Sequence, residues 1–552
     1  MIEKLHALYP EMLLFVATCA VLLLGLSRSA ATRRLAGPVC IIALVGAGLL
    51  AYFTGTTLVT SEFKNGSNGI AFMPMSKLAT PYIATYGKII AAAVGVLLAM
   101  LLQGVADRDY EDQVAKGRTA FDPARTIRAE FWAFFLFSIT GLMLTAGSDN
   151  LIWLFLALEL TSLPTYVMVA VSTARERSME SGVKYFFLGA MGAAVFLFGF
   201  AFIYGGTGTT SLAGVTEALR AQQSAGGING VALAGLILTV LGLCFKIAAV
   251  PMHAYVADVY QGAHSSVSAM LAFVPKAAGF FALILILACP GWGNDGLGML
   301  PGPLSGLLAV IAALTMTAGN ILALLQTSVK RMLAYSSIAH SGYMLVGLVA
   351  GPGSTRSSLT TNGIAAILFY LVVYGVTSVG TFAVLAALER RAPDGHLDEP
   401  DSFDDLRGLR SSHPTLAWVL ALSALGLMGF PPLVGFFAKL PFFTAGWSSN
   451  HGTLVLILAI NSAVGAVYYL RLVYLALIAS SDSPSPFVSS PFKSRALAGC
   501  LAAAALIVMA IFPFTDAVAK AGGYEPIEQP NAKTPSAEVA PTAPMSTTAA
   551  AH

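Results

Sequence analysis

This sequence has little charge. Only 11% of its 552 residues are Asp, Glu, Lys or Arg, while 56% are hydrophobic and the mean hydropathy is +0.75; a soluble domain usually carries about 25% charged residues. So few charges cannot cover a water-facing surface on a chain this long, so lipid is its solvent. No C-x-x-C occurs. Cys19, Cys40, Cys244, Cys289 and Cys500 lie far apart, in or beside apolar runs. That scatter excludes the usual zinc and iron–sulfur ligand sets and leaves the thiols as small buried hydrophobes. A nucleotide loop is missing too, because GGTGTT at 205–210 is neither a P-loop nor a dinucleotide fingerprint. The net charge of +3 comes with no basic patch interleaved with aromatics, so nothing points to nucleic acid. The apolar run from Leu8 to Leu26 is followed by Arg28, Arg33 and Arg34. A cleaved signal would carry its positive charge before the run, so this reads as a retained first span.

What is present is a succession of long apolar runs. At about 20 residues per transmembrane helix, about fourteen spans are expected. They centre near residues 17, 45, 93, 138, 161, 194, 240, 278, 316, 341, 375, 429, 465 and 506. Basic residues should concentrate in alternate, cytoplasmic loops. The loops after odd-numbered spans hold 18 of them, from Arg28 through Arg108, Arg175, Lys330 and Arg390 to Arg495; the termini and other loops hold 7. Both termini are therefore expected on the periplasmic side of a bacterial inner membrane. The stretch 209–223 reads as a short amphipathic helix on the outer side, and the Ala-, Pro- and Ser/Thr-rich tail 524–552 as disordered. The expected division is a three-helix segment (1–128), two helical repeats (129–290 and 305–480), a C-terminal helix (490–515) and the tail.

Lys88, Lys184, Lys246, Lys276, Lys439 and Arg471 fall within spans, and Glu159 stands alone as an acid in mid-span. Ionisable groups at membrane depth cost a few kcal/mol and mark function by default. Lys88, near Tyr82 and Tyr86, also fits snorkelling to an interface, and Arg471, among Tyr468, Tyr469 and Tyr474, fits an anchor. Lys184 opens its span and can be read either way. Helix breakers cluster by the others. Pro251 lies between Lys246 and His253, Pro275 precedes Lys276, and Pro431 and Pro432 precede Lys439. Freed backbone carbonyls at membrane depth are tolerated only inside protein or beside a watery cavity. Interrupted seventh and twelfth spans, five apart, suggest inverted five-helix repeats made of spans 4–8 and 9–13, although a proline also merely kinks a helix.

One carboxylate among several buried lysines suits protons. Burial disfavours a lysine's charged form and a nearby carboxylate favours it, so a Glu159–Lys184 pair that forms and breaks is expected to switch a deeper lysine. Histidine relays protons readily, which suits His253 and His340. A sodium site wants more oxygen ligands than one glutamate supplies.

The residues also resemble a known family. PMHAYVADVYQGAHSSVSAMLAFVPKAAGF (251–280), NILALLQTSVKRMLAYSSIAHSGYMLVG (320–347), LELTSLPTYVMVA with KYFFLGA (158–190) and GFPPLVGFFAKLPFF (429–443) are similar to stretches of the N-type antiporter-like subunits of complex I, over roughly 130–475. The DVY-x-GA element is more typical of that subunit than of its larger relatives. The resemblance implies an all-α membrane fold of fourteen helices with broken helices 7 and 12. It implies proton transfer by Glu159, paired with Lys184, by the central Lys246, by His253 after the break, and by Lys276 and the outlet Lys439. A relay role is implied for His340, with Tyr335. Redox chemistry is expected elsewhere, so NAD, FMN, iron–sulfur clusters and quinone are expected on partner subunits, and none on this chain. Its partners would be a neighbouring antiporter-like subunit and small membrane subunits. The chain departs from the pattern at Ala254, Ala257 and His264-Ser265-Ser266, and His264 reads as an exposed loop residue. The competing readings are a subunit of a multisubunit Na+/H+ antiporter, a non-conducting scaffold, and the membrane arm of a related complex with another electron donor.

Overall fold

The computed structural model describes residues 2–64, 83–173, 175–291, 300–352, 361–391, 397–431, 433–480 and 486–511. Pro432 and the tail 524–552 lie outside them, as do Lys77, Arg356, Lys520 and Lys533. A chain in lipid must satisfy its backbone polar groups internally, and the apolar runs do so as helices. These are α1 (Tyr9–Gly25), α2 (Ala36–Lys64), α3 (Ala84–Leu101), α4 (Arg128–Ala146), α5 (Leu151–Ala170) and α6 (Glu176–Thr207). The broken α7a (Gly230–Lys246) and α7b (Val256–Gly262) follow, then α8 (Ser265–Leu287), α9 (Gly302–Leu324), α10 (Val329–Ala350) and α11 (Gly363–Ala387). A second broken pair, α12a (Pro414–Met428) and α12b (Val434–Ser448), precedes α13 (Gly452–Leu477) and α14 (Lys493–Ile511). Ten helical stretches among the described residues are long and apolar enough to cross a membrane. The shorter apolar helices α1, α7a and α12a stand where the first, seventh and twelfth spans are expected. The amphipathic stretch is a helix at Leu212–Ser224.

Three helices form the centre. α8 is buried along its whole span, and 94% of the spans in α10 and α11 is buried. α6 and α7a meet backbone to backbone, because a Cβ at Gly199 would fall 2.6 Å from Thr239 N and one at Gly235 would fall 2.6 Å from Ile203 N. Small residues allow such close approach in lipid, where packing replaces the hydrophobic effect.

The loops after odd-numbered spans converge on one end of the bundle, tied together by ion pairs. Arg33 holds Glu111 at 2.7 Å, Arg108 and Arg495 share Glu389 at 2.8 and 2.7 Å, and Arg175 meets Asp398 at 2.5 Å. Lys330 meets Glu399 at 2.6 Å and Arg331 meets Asp258 at 2.7 Å. A small antiparallel sheet lies in the same region: Leu388–Arg391 pairs with Leu397–Asp398 on one side and Val488–Ser489 on the other.

Candidate functional site

Both helix breaks put a lysine at the C-terminal end of a half-helix. α7a stops at Lys246, after which Ala248 adopts a φ of +57° and the Val250–Pro251 peptide is cis. The backbone groups freed there find side chains. Tyr255 OH donates to Phe245 O at 2.9 Å, Ser341 Oγ donates to Ile247 O at 2.5 Å, and Val250 N–H donates to Thr315 Oγ1 at 3.0 Å. α12a ends at Gly429, whose φ of +81° turns the chain back so that Gly429 and Phe430 both donate to Leu425 O. Lys439, from α12b, then donates to Met428 O at 2.8 Å. A cation is favoured at a helix C-terminus, where the last carbonyls lack helical partners.

Lys246 Nζ lies 3.0 Å from Glu159 Oε1 on α5 and donates to Ser162 Oγ at 2.6 Å. Its side chain is 2% exposed, and the Phe196 ring lies 5.6 Å away. Lys184 does not meet Glu159, contrary to the expected pair. It binds Glu180, one turn earlier on α6, at 2.6 Å and Asp258 of α7b at 3.2 Å. With 44% of its side chain exposed, it sits at the rim, where those two acids take its charge and leave Glu159 to the deeper lysine. Arg331 holds the other oxygen of Asp258.

Lys276, on α8, bonds only neutral groups: the carbonyl and hydroxyl of Ser337, the latter at 2.6 Å, and Tyr374 OH at 3.4 Å. Between Lys246 and Lys276 is a cavity lined by Tyr185, Tyr255, Tyr260 and Pro275, with room for about one water. Buried His340 follows on α10, with Nδ1 2.5 Å from Tyr370 OH and Nε2 2.7 Å from Tyr469 OH. Lys439 lies over the Tyr343 ring at 5.1 Å, and Tyr343 is tied through Asn320 to Tyr468. The structure thus aligns Glu159, Lys246, Lys276, His340 and Lys439 across α5, α7a, α8, α10 and α12b. His253 sits in the break, half-buried, with Nδ1 buried and without a hydrogen-bond partner among the described residues. Tyr335 is half-buried and takes no part in these hydrogen bonds. Of the helix-break prolines, Pro251 and Pro431 are both exposed.

Two further sequence expectations are corrected. Lys88 does not snorkel: it is buried against Glu11 of α1 at 2.8 Å and donates to Ala7 O. His264 is not an exposed loop residue, because its ring packs 3.3 Å from Glu399 with 14% of the side chain exposed. Arg471 is exposed and stacks over Phe403 at 3.8 Å, an anchor to the loop before α12a. Sequence reasoning passed over Ser162, Ser337, Tyr370 and Tyr374, and took Tyr469 only as a neighbour of Arg471. A signal for two of them exists, since Tyr370 and Tyr374 recur four residues apart in an otherwise apolar span and so share one helix face.

The family described as NADH:quinone oxidoreductase/Mrp antiporter, TM, matches residues 148–465. NADH-quinone oxidoreductase subunit N of Herminiimonas arsenicoxydans is 34% identical over 512 residues, covering 91% of this chain and 94% of that protein. A chain of respiratory complex I from Thermus thermophilus, solved with bound aureothin, superposes with a TM-score of 0.67 at 28% identity, covering 91% of this chain and 97% of that one. A chain of the Mrp complex from Dietzia sp. DQ12-45-1b superposes with a TM-score of 0.70 at 17% identity over 96% and 98% of the two chains, a likeness of fold.

Proposed function

The chain belongs to the NADH:quinone oxidoreductase/Mrp antiporter transmembrane family, and from that membership we propose that it is a subunit N in the membrane arm of a bacterial NADH:quinone oxidoreductase, translocating protons. The alignment of a half-buried carboxylate, three buried lysines and a histidine supports this reading. Glu159 holds the proton on Lys246 while the two are paired; separating them lets Lys246 pass it through the tyrosine-lined cavity to Lys276. His340 and Lys439 carry it through the second half, and Lys184 with Asp258 forms the rim of the path. His253, beside the break, serves as an acceptor there.

Moving one proton against 100 mV requires about 2.3 kcal/mol. Quinone reduction in partner subunits supplies it. NAD, FMN, iron–sulfur clusters and quinone are assigned to those partners, in keeping with five scattered cysteines. The partners are a neighbouring antiporter-like subunit and small membrane subunits. The setting is a bacterial inner membrane with both termini periplasmic.

The test is NADH-driven proton pumping in membrane vesicles carrying Lys246→Ala, with assembly of the complex followed in parallel. Loss of pumping from an assembled complex supports the path. Normal pumping from an assembled complex removes Lys246 from it and leaves a scaffold.

A further inference from the structure

The second half of the path contains an unbroken run of hydrogen bonds that the lysines alone do not explain. Ser336 of α10 bonds Tyr469 of α13, Tyr469 OH lies 2.7 Å from His340 Nε2, and His340 Nδ1 lies 2.5 Å from Tyr370 OH of α11. Ser336, His340, Tyr370 and Tyr469 are all buried, each at most 3% exposed. One end of the run is Ser336, the chain neighbour of the Ser337 that Lys276 binds. At the other end the Tyr370 ring packs 5.2 Å from Phe442, three residues beyond Lys439 on α12b.

A histidine gripped on both nitrogens by hydroxyls has a particular property. Each phenol is both donor and acceptor, and neutral imidazole is a donor at one nitrogen and an acceptor at the other. Every member of the run can therefore take a proton on one side while releasing one on the other. We propose that Tyr469 and Tyr370 are relay residues, forming with Ser336 and His340 a proton wire between the Lys276 and Lys439 halves of the path. This deepens the proton-translocating reading and rests on it.

The step balances. A proton arriving at Ser336 Oγ forms an O–H bond as the hydroxyl's own proton passes to Tyr469 O. The Tyr469 proton moves to His340 Nε2, the Nδ1 proton moves to Tyr370 O, and the Tyr370 proton leaves toward α12b. Each oxygen gains one O–H bond and loses one, and no net charge stays behind. The imidazole ends with its proton on Nε2 instead of Nδ1, so before the next transfer the ring must return to the Nδ1–H tautomer, losing the Nε2 proton to water and regaining one at Nδ1, while the hydroxyls rotate back. Phenylalanine in place of either tyrosine keeps the ring and removes the oxygen, which cuts the wire with little change in volume.

The experiment measures protons pumped per NADH oxidised in vesicles containing the assembled complex with Tyr469→Phe, Tyr370→Phe, both together, Ser336→Ala, or Lys276→Ala. The wire requires each phenylalanine variant to lower the proton yield to the level of Lys276→Ala. The double variant should be no worse than either single one, and transfer through this subunit should slow by about 100-fold. If Lys276→Ala loses yield while both phenylalanine variants pump normally, the wire is wrong and the proton-path reading stands. If Lys276→Ala also pumps normally in an assembled complex, the path reading itself falls. Ser336→Ala covers the case in which a tyrosine variant fails to assemble: it removes only a hydroxyl, must lower the yield in turn, and a normal yield overturns the wire.

Discussion

His264 caps α8 through Nδ1, which accepts from Ser266 N–H at 3.2 Å, so the neutral ring carries its proton on Nε2, facing Glu399 at 3.3 Å. Burial pushes this histidine down to about 4, against the opposing pull of Glu399. Burial alone would raise Glu399, but the charges of His264 and Lys330 and the hydrogen bonds of Lys330 and Ser265 hold it at about 2. For both groups the folded value lies below the ordinary one, 6.5 for His264 and 4.5 for Glu399. Each therefore contributes stability that is present above its ordinary value and is lost as pH falls toward the folded one. His264 is the first to act, between pH 6.5 and about 4, and its full effect is about 3 kcal/mol. Thermal midpoints of the purified complex between pH 7 and 4.5 should fall more steeply for the wild type than for His264→Asn; equal slopes would remove His264 from the acid response. Nothing in the sequence announced this partner, since 135 positions separate His264 from Glu399. The same limit explains Glu159. That a mid-span carboxylate needs a cation follows from its own neighbours, whereas the choice of Lys246 over Lys184 depends on Glu180 and Asp258 standing at the rim to occupy the latter.

The broken helices were the most legible elements, because each break carries its cause locally: a proline and a lysine within about two turns of each other. The breaks are where α7a and α12a stop and where Lys246 and Lys439 meet helix C-termini. The Leu388–Arg391 sheet was not legible, since its shortest strands have two residues and their pairing depends on where α11 ends and α14 begins. Within the second break, α12b turns back onto α12a so closely that a Cβ on Gly435 would fall 1.8 Å from Gly426 O. Gly435→Ala must then push the half-helices apart, at a cost of about 1–3 kcal/mol, and lift Lys439 from the Met428 carbonyl. The expected outcome is an assembled complex with a lowered thermal midpoint and a reduced proton yield. Gly306→Ala, on α9 with nothing among the described residues within 4 Å of the added carbon, is the control and should be neutral or slightly stabilising. Equal behaviour of the two variants would mean that the close approach does not position Lys439.

Across the whole molecule, the alternation of basic loops read from the sequence reappears as loops that touch. Glu389 is the clearest junction: it accepts from Arg108 before α4, from Arg495 at the start of α14 and from Ser490. The Arg495 side chain is 1% exposed, so Glu389→Ala strands a buried cation and should cost about 3–5 kcal/mol, seen as poor recovery of assembled complex. Glu389→Gln keeps an acceptor for the guanidinium and should recover better. The path above these loops is a whole-molecule property as well. Lys246 ends α7a in the first half and Lys439 lies on α12b in the second, with the cavity, Lys276 and the His340 hydrogen bonds between them. If protons cross both halves in series, removing either lysine blocks the same route. The Lys246→Ala/Lys439→Ala double variant then pumps no fewer protons per NADH than the worse single variant. If each half instead has its own route, the two losses add. Proton yields from the four combinations, measured on complexes shown to be assembled, separate the two cases, and additive losses would divide the single line of residues into two independent channels.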